Sequence, residues 1–423
     1  VSERSLLFLV GAVQFVNVLD FMMVMPLGPD FAEGLGIPAS QLGFVGGAYT
    51  FAAAAAGIAG AGFLDRFDRR KALAVAMVGL VAGTAAGGLA TGLGTMVLAR
   101  VVAGAFGGPA TALSISIVAD AVPPERRGKA LGAVMGAFSV ASVLGVPLGL
   151  EAARLGDWRT PFFAVAALGL VIAGAALRLM PPMTAHLRRP AAPAAPRPGA
   201  APRRPLLARP AALLSLAGSA TSMLSGFAVI PNLAAFVQYN LGFPRERLGL
   251  AYMVGGAVAF VVLRVGGRLV DRLGAPAVGT LGTALFVATL LVCVAWPPPW
   301  LPVLLLFGAF MTSNSLRNVS ASTLSSRVPG PAERARFLSA QSAVQHLASA
   351  LGATLSTRLL TVEPDGRLGG MRALALGSAA VAALLPVLLF RVAALLRARD
   401  AAEHAAAAPR AQDAGPPSTP LPT

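Results

Sequence analysis

A segment near the start of the chain returns about halfway along it without a gap. Leu35-Gly36-x-Pro38-x-x-x-Leu42-Gly43 reappears as Leu241-Gly242-x-Pro244-x-x-x-Leu248-Gly249, Asp65-Arg66 as Asp271-Arg272, and Val122-Pro123 as Val328-Pro329. Each pair is 206 positions apart (241 against 35, 271 against 65, 328 against 122) in a chain of 423 residues. An offset held through apolar stretches and polar loops alike marks a tandem duplication, so the fold must be built from two copies of one unit. In an apolar chain, a repeat of this size points to a secondary transporter with its site between the halves.

The chain is 56% hydrophobic and 12% charged, where a soluble domain carries roughly 25% charged residues. Polar surface is too scarce to cover a water-soluble globule, so lipid is the expected solvent. The net charge of +16 would suit nucleic acid. Its arginines, however, fall in short loops between apolar runs, where they orient a membrane protein, and no nucleic-acid partner is expected. Cys293 is the single cysteine, which leaves no disulfide or cysteine metal site within the chain. Metal-ligand spacings, a Walker loop and a dinucleotide fingerprint are all missing from the sequence. Neither an enzyme nor a cofactor is expected, and the energy must come from an ion or substrate gradient. The abundance of Ala, Gly, Pro and Arg reflects GC-rich codons, so the expected location is a bacterial cytoplasmic (inner) membrane.

Apolar runs of roughly 18 to 25 residues, each long enough to cross the hydrocarbon core as a helix, fall at 5–27, 43–64, 72–90, 95–119, 128–150 and 160–180. Six more fall at 211–237, 248–270, 276–295, 300–324, 337–360 and 371–396. The expected fold class is all-α integral membrane: twelve transmembrane helices in two pseudo-symmetric six-helix bundles, residues 1–180 and 211–396. The Pro-, Ala- and Arg-rich connector 181–210 and the tail 397–423 lack the apolar content to fold. They are expected to be a flexible basic cytoplasmic connector and a disordered cytoplasmic tail. The first run has no small-residue cleavage signal behind it and is read as a span rather than a removable leader. Arg69, Arg70 and Lys71 follow span 2 and Arg126, Arg127 and Lys129 follow span 4, whereas span 1 is followed by Asp30 and Glu33 with no basic residue. The positive-inside rule then places both termini in the cytoplasm, as an even number of spans requires. With both halves in one chain, a monomer suffices.

Span 1 carries Gln14, Asn17 and Asp20 at a spacing of three, along one helix face, with Met23 among the Met and Phe side chains around them. A carboxylate at membrane depth is costly unless it is paired, hydrated or protonated, and it marks a pathway or relay. Asp20 precedes Pro26 by roughly 9 Å of helix. Arg100 lies roughly 7.5 Å inside span 4, which runs the opposite way. The matching depths predict an Asp20–Arg100 pair able to take up and release a proton; a fixed structural ion pair is the alternative.

In the second half, Gln341, Gln345 and His346 form a polar stripe on span 11, with Asn314 and Arg317 on span 10. Such a stripe should face a cavity rather than lipid. His346 either titrates with transport or makes a helix–helix contact. Arg317 either holds an inner gate by meeting a carbonyl or carboxylate, or counters an anionic substrate. Asp65, Arg66, Arg69 and Arg70 after span 2, and Asp271 and Arg272 after span 8, are expected to clamp helix ends as a conformational gate. Gly104, Gly107 and Gly108 of span 4 are read as a packing surface.

These residues resemble the major facilitator superfamily over nearly the whole chain, connector and tail aside. Gly267 to Gly274 follow the loop motif G-x-x-x-D-R-x-G-R-K/R up to its basic end, while in the first copy Ala61 holds the leading glycine place and Asp68 that of the later glycine. Arg100-x-x-x-Gly104 is similar to the span 4 motif R-x-x-x-G of proton-coupled members. The run Leu144-Gly145-Val146-Pro147-Leu148-Gly149, with Gly156-Asp157-Trp158-Arg159-x-x-Phe162, resembles the arabinose-efflux-permease-like branch of twelve-span drug:proton antiporters. The resemblance implies alternating access by rocking of the halves about a cavity lined by spans 1, 4, 7 and 10. The expected function is proton-coupled efflux of small amphipathic or apolar molecules, with the substrate, protons and the lipid bilayer as partners. The alternative is an uptake symporter or facilitator for an organic anion or sugar.

Overall fold

Long apolar runs broken by Gly, Pro and Asp turns become long helices joined by short connections. The structure, a computed structural model, describes residues 2–60, 64–184, 187, 206–330 and 333–407, with only the backbone at 65, 124, 125, 128, 335 and 403–407. The first six long helices are α1 Glu3–Val24, α2 Leu42–Gly60, α3 Arg69–Gly88, α4 Leu93–Ala121, α5 and α6 Thr160–Leu179. Helix α5 consists of the consecutive pieces Pro124–Met135, Ala137–Val140, Ala141–Gly145 and Val146–Leu155. The second six are α7 (Pro210–Ala235 and Phe236–Asn240), α8 Leu248–Leu273, α9 (Ala275–Thr289 and Leu290–Ala295), α10 Val303–Arg327, α11 Arg334–Leu359 and α12 (Met371–Ala382 and Leu384–Ala407). Polar side chains cap the free N–H groups where helices begin: Ser2 accepts from the Ser5 N–H at α1, and Asp68 from the Arg70 N–H at α3.

Ten of these helices are long and apolar enough to cross a membrane by length and composition. Helices α10 and α11 are as long, at 25 and 26 residues, but they carry Asn314, Arg317, Gln341, Gln345 and His346. Their lower hydropathy follows from those polar groups.

The duplication extends to backbone conformation. Gly36 and Gly242 both adopt left-handed backbone, with φ of +63° and +65°, a region that costs a residue with a Cβ about 1–2 kcal/mol. Each precedes a proline-led single turn, Ala39–Gln41 after Pro38 and Arg245–Arg247 after Pro244, and the next helix then starts at Leu42 or Leu248.

Odd-numbered helices begin, and even-numbered ones end, on the face where α1 starts and α12 stops, the terminal face. On the opposite face the halves touch closely. Helix α2 packs on α11 and α5 on α8. A Cβ at Gly43 would collide with the Ala353 carbonyl, and one at Gly47 would lie 2.7 Å from Thr354 Oγ1. Gly256 of α8 meets Ser142 in the π-helical turn of α5. One apolar core spans both halves here, joining Val45 and Leu150 to Phe236, Leu248 and Phe307. A second core, with Val270, Val278, Leu324 and Phe337, belongs to the second half alone, near the terminal face.

Two expectations at the chain's polar segments change. Helix α12 continues to Ala407, past the expected end at 396, because Ala and Arg at 397–407 are strong helix formers; residues 408–423 lie outside the described residues. Of the connector, 185–186 and 188–205 lie outside them too, but its end is ordered. Leu206–Ala208 forms a helical turn, and Arg209 donates to both Glu333 oxygens at 2.7 and 2.8 Å. A short hairpin, Thr361–Val362 paired antiparallel with Leu368–Gly369, joins α11 to α12. The Asn240 side chain grips its Leu368 backbone through both N–H and C=O.

Candidate functional site

The first half encloses one buried ion pair. Asp20 on α1 and Arg100 on α4 are 0% and 1% exposed. Arg100 Nη1 donates to Asp20 Oδ1 at 3.0 Å and Nη2 to Oδ2 at 2.8 Å. This fork-to-fork geometry is the strongest a guanidinium offers a carboxylate. Thr84 Oγ1 on α3 adds a 2.7 Å bond to Asp20 Oδ1, and the ring of Tyr49 on α2 lies 4.8 Å beneath the guanidinium carbon. Four helices thus contribute to a single charge pair.

The network continues along α1 toward the terminal face. Tyr49 OH donates to Asn17 Oδ1 at 2.8 Å. Asn17 Nδ2 donates to the Gly107 carbonyl at 3.0 Å and to Thr111 Oγ1 at 2.7 Å. Thr111 Oγ1 in turn donates to Gln14 Oε1 at 3.3 Å. Close helix approach makes this reach available. Gly107 leaves room for the Tyr49 hydroxyl, and a Cβ there would lie 2.7 Å from Asn17 Oδ1. Sequence spacing found Gln14, Asn17, Asp20 and Arg100, whereas Tyr49 and Thr84 carried no signal, being single polar groups in apolar helices, and Thr111 reads in the sequence only as part of the span 4 packing surface.

Met23 takes a different position from the one its place on span 1 suggested. It is 1% exposed and packs toward Gly149 of α5, within the core rather than at a cavity wall.

In the second half the polar groups are more dispersed. Gln341 is buried and donates to Ser219 Oγ of α7 at 3.1 Å. Gln345 and His346 are half-buried, with no side-chain hydrogen bond among the described residues. Arg317 is 0% exposed. Its Nη2 donates to Ser225 Oγ at 2.6 Å and its Nη1 to Asn314 Oδ1 at 3.5 Å. Its guanidinium carbon lies 4.1 Å from the Phe286 ring centroid. Neither a backbone carbonyl nor a carboxylate is among these described contacts; the carbonyl that Arg317 meets is the Asn314 side-chain amide, at 3.5 Å.

The basic loops divide. Asp68 accepts from the Met183 N–H at 3.0 Å, Arg70 Nη1 donates to the Met180 carbonyl at 3.2 Å, and Arg69 Nε lies 3.0 Å from Asp120 Oδ2. These contacts tie the start of α3 to the ends of α4 and α6, all within the first half. Arg66, Asp271 and Arg272 are exposed, and the Asp65 side chain lies outside the described residues. The second copy of the expected clamp, Asp271-Arg272, closes on nothing among the described residues.

The halves are instead joined on the opposite face. Arg245, just before α8, donates to Asp30 after α1 at 2.6 and 2.5 Å. The Phe21 and Phe227 rings, from α1 and α7, stack at 5.9 Å nearer the middle of the molecule.

Comparison with known proteins fits this geometry. The chain is 28% identical over 295 residues to a chloramphenicol resistance protein of Streptomyces lividans, covering 69% of this chain and 71% of that one. Its fold matches an inward-facing, occupied bacterial homologue of the human lysosomal transporter Spinster, with a TM-score of 0.70, 16% identity and coverage of 92% and 96%. It also matches the human organic anion transporter TETRAN, with a TM-score of 0.63, 19% identity and coverage of 92% and 100%. At these identities the two structures speak to fold alone. The Major Facilitator Superfamily model matches residues 10–353 and 216–419. The chain is an all-α, multi-pass membrane transporter rather than an enzyme, and it belongs to the Major Facilitator Superfamily.

Proposed function

We propose that this transporter is a proton-coupled exporter of small amphipathic molecules. It works by alternating access of two six-helix halves, 1–180 and 211–396, with twelve spans and both termini in the cytoplasm of a bacterial inner membrane. The observation that carries the reading is the sealed, bidentate Asp20–Arg100 pair with its Thr84 and Tyr49 contacts.

Asp20 is the proton acceptor. Ionised, it answers Arg100. Protonated, it leaves a buried cation without its carboxylate, and breaking such a pair costs about 3–5 kcal/mol. That cost is large enough to drive the helices carrying the pair into another arrangement. The Gln14–Thr111–Asn17–Tyr49 chain leads toward the pair from the terminal face and offers a polar approach through otherwise apolar helices. A proton moving down its gradient supplies about 1.4 kcal/mol per pH unit and about 2.3 kcal/mol per 100 mV.

The cross-half contacts at Asp30–Arg245 and Gly43–Ala353 support an inward-facing arrangement, with the outer face closed. The chloramphenicol resistance relative supports outward export. The test is flux in proteoliposomes under an imposed pH gradient, with chloramphenicol as the first cargo. Wild-type protein should expel cargo when protons flow the other way, and Asp20→Asn should not. Undiminished pH-driven flux in that variant would remove Asp20 from the mechanism, and accumulation in the direction of proton flow would mark a symporter.

A further inference from the structure

The two halves treat their buried arginines differently. Arg100 spends both ends of its fork on Asp20. Arg317, on the corresponding helix of the second half, is just as buried and has no acidic partner among the described residues. A guanidinium carries five N–H donors. Here one is committed to Ser225 at 2.6 Å, one reaches Asn314 only at 3.5 Å, and Nε has no partner. The Phe286 ring face compensates part of the charge. No carboxylate can do so from nearby helix interiors: α7, α9, α10 and α11 contain no Asp or Glu, α8 has only Asp271 in its last turn, and α12 has none before Asp400. A charge held at membrane depth without a counter-ion marks a pathway or a binding function.

Burial is uneven around the cluster. Phe286 of α9 backs the guanidinium. Asn314, one turn from Arg317, is half-buried rather than sealed, and a Cβ on neighbouring Gly226 would come within 3.3 Å of its Oδ1. The next residue, Phe227, presents its ring to Phe21 of the first half. The weakly held Nη1 is therefore covered by the half-buried Asn314 amide, and the residue that follows Asn314's neighbour Gly226 reaches the first half.

We propose that Arg317 is the seat of a negative charge on the transported molecule, which makes the cargo an amphipathic organic monoanion bearing a carboxylate. The cargo oxygen displaces Asn314 Oδ1 from Nη1, while Ser225 keeps Nη2 in place and Phe286 keeps the guanidinium plane fixed. The apolar part of the cargo then lies against Phe227 and Phe21. This inference rests on the transport reading above but not on its proton coupling. Asp20 and Arg100 belong to the first half and neutralise each other while Asp20 is ionised, so in that state the second half alone distinguishes an anion from its neutral analogue.

The test uses purified full-length protein and two pairs of probes that differ by a carboxylate: chloramphenicol hemisuccinate against chloramphenicol, and benzoate against benzamide. Equilibrium dialysis should show each carboxylate binding roughly tenfold better than its neutral twin, the worth of one charge-assisted hydrogen bond. Arg317→Gln should erase that preference, and Arg317→Lys should keep part of it. Asn314→Asp provides an independent check, since it supplies the missing carboxylate from within. That variant should melt at a higher temperature than wild type and should also lose the preference for carboxylates.

Equal binding of the twins by wild-type protein overturns the proposal. So does a preference that survives in Arg317→Gln or Asn314→Asp. Failure of proton coupling would appear separately, as pH-independent flux with the carboxylate preference intact. A proton-driven exporter of neutral cargo would show the reverse.

Discussion

Arg245 and Asp30, 215 positions apart in the chain, hold the two halves together through paired hydrogen bonds of 2.6 and 2.5 Å on the face opposite the termini. Their side chains are about a quarter exposed, at 23% and 21%, so water and salt still reach the pair. Such a contact contributes about 1 kcal/mol, roughly a fivefold shift between two conformations. Arg245→Gln or Asp30→Asn should therefore raise the share of molecules open on that face by that factor. Distance distributions between spin labels at Glu33 and Glu246 would measure it. Raising the salt concentration on wild-type protein should have a smaller effect in the same direction.

Arg100→Lys keeps the charge but loses the fork, and a lysine cannot bond both Asp20 oxygens in the same plane. It should lower the melting temperature and reduce pH-driven flux by about tenfold, the cost of one charge-assisted bond. The double variant Asp20→Asn/Arg100→Gln removes both charges together. It should recover most of the stability lost by Asp20→Asn alone, because no uncompensated ion remains buried, while flux stays uncoupled from pH. A double variant no more stable than Asp20→Asn would show that the pair does not stabilise the bundle.

Tyr49→Phe keeps the ring under Arg100 and removes only the hydroxyl bonded to Asn17. The loss leaves Asn17 Oδ1 buried without its donor, at a cost of about 1–3 kcal/mol. A fall in melting temperature with binding of uncoupled cargo unchanged is the expected outcome, and thermal unfolding in detergent would check it.

Gly43→Val should prevent the halves from meeting on the closed face, because its Cβ falls on the Ala353 carbonyl of α11. Backbone cannot yield there as the end of a flexible side chain can. Gly57→Ala, with nothing within 4 Å of its Cβ, is the control and should transport normally. Turnover in proteoliposomes would separate the two.

Much of the architecture was legible because it is periodic. Helix positions followed from apolar length, and the duplication from a fixed offset that the structure repeats as matching φ values at Gly36 and Gly242. Asp20 and Arg100 could be paired in advance because depth along a straight helix scales with residue count. Tyr49, Thr84 and Thr111 had no such marker. Their importance depends on α2, α3 and α4 crossing α1 at one level, and a lone hydroxyl in an apolar helix reads the same whether it faces lipid or an ion. The partners of Asp271-Arg272 had no marker for a related reason, since a loop motif names residues but not the neighbour they meet.

Composition and pattern alone determined that this chain is a duplicated, lipid-embedded helical transporter, because hydropathy, helix length and repeat offset are all properties of the linear chain. Tertiary structure alone decided that Met23 is core, that Asp30 and Arg245 bridge the halves, and that Arg317 is buried without an acid. Those outcomes depend on which helix faces meet and how closely. Helix rotation and crossing decide that, and neither is encoded in the order of apolar and polar residues along one strand of chain.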